Sequence, residues 1–204
     1  IGTRQEKITN KEVAQLMQVS PPAVTEMVKK LLAEQLLLKD RSVGYILTDL
    51  GLKLVSDLYR KHRLIEVFLV NHLGYTTEEI HEEAEVLEHT VSDHFVEQLE
   101  KLLHFPKNCP HGGTIPAKGE LLVEKNNTTL AKVKRIGHYL LTRVHDDFNL
   151  LTYLEKNGLQ VGKTIYFLSY DNYSQLYSLE VDGQEIQIGR SIAKQIYVEK
   201  IQKP

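Results

Sequence analysis

Four residues of one short segment, His81, Glu85, Glu88 and His89 in His81-Glu82-Glu83-Ala84-Glu85-Val86-Leu87-Glu88-His89, carry the strongest chemical signal in the chain. On a helix turning 100° per residue they fall within about 100° of one face, so a single cation could touch three of them. Upstream, His62 and Glu66 stand four apart in His62-Arg63-Leu64-Ile65-Glu66 and share a helical face in the same way. Two antiparallel helices can present such sets to a common cavity, as helical bundles do when they build carboxylate and imidazole metal sites. Cys109-Pro110-His111 adds a thiol and an imidazole within one ion's reach. His145-Asp146-Asp147 is a further oxygen and nitrogen cluster, although its spacing alone reads as an ordinary polar turn.

Blander readings compete with each of these. An acidic helix face commonly points at water, and a lone Cys beside a His is commonly incidental. A solvated face, however, usually interleaves Lys with Glu at i, i+4. Residues 66–100 hold ten Asp/Glu and four His without one Lys or Arg, whereas residues 1–53 carry eight Lys/Arg against six Asp/Glu. An acidic stretch without basic partners invites a bound cation. A Cys-His nucleophile is a weaker reading, because nothing nearby resembles an oxyanion hole or substrate pocket.

The elements that must position these residues begin with a capping box, Thr9-Asn10-Lys11-Glu12, opening a short helix through Met17. Gln18-Val19-Ser20 interrupts it. Ser20 as N-cap and Pro21 at N1 then start a second helix to about Gln35, predicted to bury Val24, Met27, Val28, Leu31 and Leu32. Leu36–Leu38, a basic turn through Arg41, and Tyr45–Leu47 read as the wing of a winged helix-turn-helix. A long helix follows from Leu50 to about Leu73, then one opened by Thr76-Thr77-Glu78-Glu79 and running to about His89, and another from Ser92-Asp93 through Leu103. Pro106, Pro110, Gly112, Gly113 and Pro116 mark a loop and boundary. Beyond about Leu130 the texture predicts short strands at 131–133, 140–144, 164–168, 176–179, 186–188 and 196–198, with Asn157-Gly158 and Asp182-Gly183 as turns, which fits a small β-barrel.

The bulk numbers agree with such an assembly. The 204 residues, 42% hydrophobic, can bury a real core, and a single cysteine excludes an internal disulfide and fits a reducing cytoplasm. There is no signal peptide and no apolar run near the roughly 18–20 residues of a membrane span, so no membrane partner is expected. Nucleotide-binding glycine loops and cofactor motifs are absent.

Taken together, these motifs resemble the diphtheria toxin repressor and manganese transport regulator family, and within it the manganese-dependent repressors of streptococci. The likeness is carried by Val19-Ser20-Pro21-Pro22-Ala23-Val24-Thr25-Glu26-Met27-Val28-Lys29-Lys30-Leu31, by Tyr45-Ile46-Leu47-Thr48-Asp49-Leu50-Gly51, by the two His/Glu segments and by Asn157-Gly158-Leu159-Gln160-Val161-Gly162. It implies an α+β subunit: a winged helix at 1–53 with a truncated first helix, a helical dimerisation and metal-binding domain at 54–126, and an SH3-like β-barrel at 127–204.

By the same resemblance Glu85, Glu88 and His89 match the principal metal site, His62 and Glu66 the second site or a bridge, and His81 an ancillary ligand. Cys109 and His111 match the streptococcal pattern, with Asp146 assigned as the acid from the SH3-like domain. The family's first helix supplies one more acid, for which nothing stands before Ile1, so the principal site is expected to be incomplete. Iron-responsive members have a sulfur residue where this chain has Glu85, and hard oxygen favours Mn²⁺, with Fe²⁺, Zn²⁺ or Cd²⁺ able to substitute. The implied function is a cytoplasmic, metal-dependent repressor, binding double-stranded operator DNA as a homodimer and controlling metal uptake genes. Ser20, Pro21, Pro22, Thr25 and Lys29 on the recognition helix and Arg41 on the wing would face DNA, Thr25 bonding a base edge or phosphate. A metal-dependent hydrolase and a metal-independent winged-helix regulator are the alternatives.

Overall fold

The computed structural model describes residues 9–202 except 43, 77, 78 and 126, in two compact units. The first comprises residues up to Leu58 with Pro116–Leu122; the second comprises Tyr59–Ile115 and the chain from Val123 onward. The expected truncation of the first helix falls on residues outside those described, as do Thr77 and Glu78 of the predicted cap.

In the first unit the caps read from sequence are formed. Glu12 N–H donates to Thr9 Oγ1 while Thr9 N–H donates to Glu12 Oε2 at 2.7 Å, opening α1 (Asn10–Leu16). Ser20 Oγ accepts from Ala23 N–H at 3.3 Å and opens α2 (Pro21–Ala33). Both helices end on a left-handed residue that is not glycine, Gln18 and Gln35, with Val19 N–H returning to Ala14 O and Leu36 N–H to Leu31 O. Val24 is wholly buried, but Met27 is 42% exposed, a correction to the predicted buried face. β1 (Leu37–Asp40) pairs antiparallel with β2 (Gly44–Leu47) to make the wing. The long α3 (Asp49–Leu73) starts where Thr48 Oγ1 accepts from Gly51 N–H. Gly51 is required there, because a Cβ would lie 2.2 Å from Leu36 O.

In the second unit α3 packs with α4 (Ile80–Glu88) and α5 (Asp93–Leu102) around Leu64, Ile65, Leu69, Ile80, Ala84, Val96 and Leu99. A separate core lies under an antiparallel sheet of β3 (Gly137–Val144), β4 (Thr164–Asp171), β5 (Leu176–Val181), β6 (Gln184–Gly189) and β7 (Ile196–Lys200). Two further helices belong to it, α6 (Phe148–Lys156) and the short α7 (Arg190–Ala193). The strand order is β6-β5-β4-β3-β7, so among the described residues the sheet is open and the expected closed barrel is not formed. Its β7 edge is partly covered by residues 128–129, where Val198 N–H donates to Thr128 O and Thr129 bridges Tyr197.

The 131–133 segment is a 3₁₀ turn (Leu130–Lys132) rather than a strand. The helix α6 was not foreseen, and Asn157-Gly158 ends it rather than joining strands. Gly158 sits at φ +67 and Leu159 N–H returns to Leu154 O at 2.8 Å, a helix-terminating pattern. No helix among the described residues is long and apolar enough to cross a membrane.

Candidate metal centre

Four segments of the second unit bring donor groups around the buried Glu66 carboxylate. α3 supplies His62 and Glu66 one turn apart, and the Glu66 carboxylate is fully buried. α4 supplies His81 and, from its inner face, Glu88. The loop after α5 supplies Cys109 and His111, and the link between β3 and α6 supplies Asp146. Ligand atoms of His62, Glu66, His81 and Asp146, and those of Glu66, Cys109 and His111, each lie within 4.8 Å of one another.

The closest approaches are His81 Nδ1 to Asp146 Oδ2 at 2.9 Å, His62 Nε2 to Glu66 Oε1 at 3.2 Å and His111 Nδ1 to Glu66 Oε1 at 3.3 Å. His111 Nδ1 to Asp146 Oδ1 is 3.5 Å and His62 Nε2 to Asp146 Oδ2 is 3.7 Å. Both Glu66 oxygens, His62 Nε2 and His81 Nδ1 are buried with no hydrogen-bond partner. Atoms arranged this way face a common centre rather than each other. Ligands at about 2.1 Å from an ion stand roughly 3.0–3.4 Å apart in octahedral or tetrahedral geometry, and the approaches here, from 2.9 to 3.7 Å, bracket that range. Two overlapping donor groups that share Glu66, one adding two imidazoles and a second carboxylate and the other an imidazole and a thiol, therefore fit divalent-cation coordination.

Electrostatics support the same fit. Burial alone would lower His62, but Asp146, Glu66 and Glu88 outweigh it and push the ring up to about 10. His111 is raised against its burial by Asp146, Cys109 and Glu66, and His81 is raised chiefly by Asp146. Burial would raise Glu66 and Asp146, yet the surrounding imidazoles hold both carboxyls below their ordinary range. Burial pushes the Cys109 thiol up. Protons on the imidazoles thus balance the carboxylates, a role that a dication can take over while the rings become neutral ligands.

Sequence neighbours separate sharply here. Asp146 enters the centre, Asp147 caps α6 by accepting from Leu150 N–H at 2.9 Å, and His145 Nε2 lies 2.8 Å from Tyr197 Oη. His62 Nδ1 lies 2.8 Å from Glu88 Oε2, the outer carboxylate that commonly orients a ligating imidazole. The expected principal set is not brought together to the same degree. Glu88 Oε1 is 3.4 Å from His89, whose side chain is 66% exposed, and Glu85 is exposed and outside both groups.

The Cys109 loop is ordered by its own bonds. Cys109 N–H donates to Gly113 O, Ile115 N–H to Lys107 O, and Val144 N–H to His111 O at 3.0 Å. Gly112, at φ +81, lies so close to β3 that a Cβ would stand 2.1 Å from Thr142 O.

Three family profiles match successive parts of the chain: residues 2–41 the iron dependent repressor N-terminal DNA binding domain, 48–117 the iron dependent repressor metal binding and dimerisation domain, and 119–200 the FeoA domain. The iron-dependent repressor IdeR of Mycobacterium bovis is 31% identical over 160 residues, covering 72% of this chain and 70% of its own length. The crystal structure of the manganese-activated repressor ScaR in its apo form is 80% identical with a TM-score of 0.94, covering 98% of this chain and 95% of that one. That of the manganese regulator SloR is 59% identical with a TM-score of 0.89, covering 96% and 91%.

The chain belongs to the iron-dependent repressor family. It is a metal-dependent transcriptional repressor and not an enzyme, which removes the hydrolase and the metal-independent regulator. Its architecture is α+β, with an N-terminal helix-turn-helix DNA-binding domain, a helical dimerisation domain and a C-terminal FeoA, SH3-like domain.

Ser20 at the N-cap of the repressor's α2, and Pro21, Pro22 and Lys29 on it, are exposed, as is Arg41 on the wing. Lys29 pairs with Glu26 at 2.7 Å on the surface, a contact weak enough for a phosphate to displace. Thr25 is half-buried: its hydroxyl donates to Pro21 O at 3.0 Å and accepts from Asn10 Nδ2 at 3.2 Å. One acceptor lone pair remains, so in this arrangement Thr25 can accept from a base amine but has no proton for a phosphate.

Sequence reasoning missed two part-buried ion pairs, Arg60 with Glu100 and Arg63 with Glu124. Their partners lie 40 and 61 residues apart, beyond any local pattern. The one available hint was a basic residue on either side of Lys61-His62 in an otherwise helix-buried stretch.

Proposed function

We propose that this repressor is activated by Mn²⁺, binds double-stranded operator DNA as a homodimer when loaded, and controls metal uptake genes in the cytoplasm. The observation that carries this reading is the set of buried donor atoms of Glu66, His62 and His81 that face one another at ligand spacing without hydrogen bonds. One ion is held by Glu66, Cys109, His111 and Asp146, with His62 and His81 completing or flanking it. A second is held by Glu85, Glu88 and His89 with a further acid. The bound ion supplies positive charge that fixes the loop, α3 and the β3–α6 link in one arrangement.

Mn²⁺ is favoured by the oxygen and imidazole donors, with Fe²⁺ as an alternative, while Cys109 admits softer Zn²⁺ and Cd²⁺. Structures of the relative ScaR with bound Cd²⁺ and with bound Zn²⁺ are in keeping with this. Exposed apolar residues on and after the helices, Val86, Phe95, Leu102 and Phe105, support a homodimer through the matched dimerisation domain. Ser20, Pro21, Pro22, Thr25, Lys29 and Arg41 face DNA in this reading. Domain boundaries near 53 and 126 follow from it.

The test is a metal titration monitored by DNA binding. Mn²⁺ should raise affinity for operator DNA in wild type, and Glu66→Gln should not respond. Equal DNA affinity with and without metal would remove the reading.

A further inference from the structure

Arg63 follows His62 on α3 and is buried beside the metal centre. Its guanidinium donates to Thr114 O and to Glu124 Oε1 at 2.6 Å, while Thr114 N–H donates to Glu124 Oε2 at 3.0 Å. Arg63, Thr114 and Glu124 therefore form a closed ring of three bonds. Gly113 leaves no slack in it, since a Cβ would stand 2.6 Å from Arg63 Cζ. Arg143 backs the ring, with Nη1 3.9 Å from Glu124 Oε1 and its guanidinium 3.6 Å above the Tyr197 ring.

The two residues that Arg63 grips lie at either end of a short excursion of the chain. Between them, Pro116–Leu122 belongs to the first unit, the one that contains the helix-turn-helix. There Leu122 N–H donates to the buried Ser56 Oγ at 2.9 Å. On the other side, Thr114 is three residues from His111 and Arg63 is adjacent to His62, so the ring shares backbone with two groups of the metal centre.

We propose that Arg63, Thr114 and Glu124 form a latch through which the state of the metal centre is passed to the 116–122 strap, making Glu124 and Arg63 positioning residues for metal-dependent DNA binding. Drawing His62 and His111 onto one ion fixes the spacing between α3 and the loop. That spacing sets the geometry of the ring. A surface ion pair would yield to such a change, whereas a part-buried ring bonded at three points transmits it, because breaking it leaves the buried Arg63 charge without its carboxylate.

This inference rests on the reading of the cluster as a metal centre, and the experiment separates the two. Full-length wild type, Glu124→Ala and Glu124→Gln are compared with Mn²⁺ or Cd²⁺ alone by isothermal titration, by amide exchange of residues 116–122, and by DNA affinity. In wild type, metal should raise protection of 116–122 by about tenfold or more. Glu124→Ala should bind metal within about threefold of wild type. It should also exchange faster at 116–122 even without metal, gain no protection when loaded, and lose about tenfold of the metal-dependent DNA affinity. Glu124→Gln keeps the shape and one acceptor and should recover part of both responses. Unchanged metal-free exchange at 116–122 in Glu124→Ala would overturn the latch, as would metal binding lost in parallel with protection, which marks a residue that merely supports the site. A wild type that titrates no metal at the centre would instead remove the functional reading.

Discussion

The two sets of metal-binding residue types meet different fates in the fold. The set around Glu66 is gathered from four segments, with His62, Glu66, Cys109 and His111 buried and His81 and Asp146 toward the surface, whereas Glu85 and His89 stand exposed on and just after α4 with only Glu88 turned inward. Similar residues at similar helical spacing thus make one preorganised centre and one open face. The difference lies in what surrounds them. The set around Glu66 is walled by a loop locked to β3 and by the start of α6, while Glu85 and His89 join no group of three donors among the described residues. The first centre should bind with little reorganisation, and the second should be assembled by its ion.

Removing Glu66 should break the contrast most completely. Glu66→Ala removes one buried acidic partner from both His62 and His111, leaving Asp146 to both and Glu88 to His62, at a cost of about 3–5 kcal/mol in metal-free stability, read by urea unfolding. Glu66→Gln keeps the volume and should reduce metal affinity by more than the roughly 10–100-fold typical of an outer partner. Next in size is Gly112→Ala, where a Cβ meets Thr142 O and the backbone is left-handed. It should cost about 1–3 kcal/mol and weaken metal binding by displacing His111 and Cys109.

The pH response should differ in sign between the two loading states. Without metal, the stability from His62 is full below about 6.5 and fades as pH rises through about 10, while that from Asp146 and Glu66 is lost as pH falls through their depressed values. Metal-free stability should therefore peak on the acid side of neutrality. Metal must displace those protons, so its affinity should climb by about tenfold per pH unit for each proton released. Thermal unfolding from pH 5 to 9, with and without Mn²⁺, should show a widening gap. A constant gap would mean that the imidazoles are not displaced.

Cys109→Ala sharpens the comparison from the loop side. The loop's own hydrogen bonds should keep amide protection at 106–115 close to wild type without metal, whereas affinity should fall more for Cd²⁺ and Zn²⁺ than for Mn²⁺. A loop that loosens without metal would show the thiol to be a packing element. The smallest effect belongs to Glu85→Cys on the open face. Its metal-free stability should stay within about 0.5 kcal/mol, while the order of activation shifts from Mn²⁺ toward softer ions. An unchanged order would exclude Glu85 as a ligand.

Much of this was legible in the chain and some was not, for identifiable reasons. Caps at Thr9, Ser20 and Ser92 follow from local hydrogen bonding, and the pairs His62/Glu66 and Cys109/His111 sit within a few residues of each other. Local spacing could not choose among His145, Asp146 and Asp147. The choice depends on where α6 begins, and α6 was hidden because Asn157-Gly158 serves equally as a hairpin turn or a helix stop. Openness of the sheet depends on whether β6 meets β7, a long-range matter that strand count does not decide. The Arg63–Glu124 pair has no local signature at all.

Anomalous scattering from crystals grown with Mn²⁺ tests the preorganised centre most directly. The account predicts a peak at about 2.0–2.3 Å from a Glu66 oxygen, with His111 Nδ1 and Asp146 in the same coordination sphere. A fully activated repressor whose only peak lies against Glu85 and His89 would contradict it.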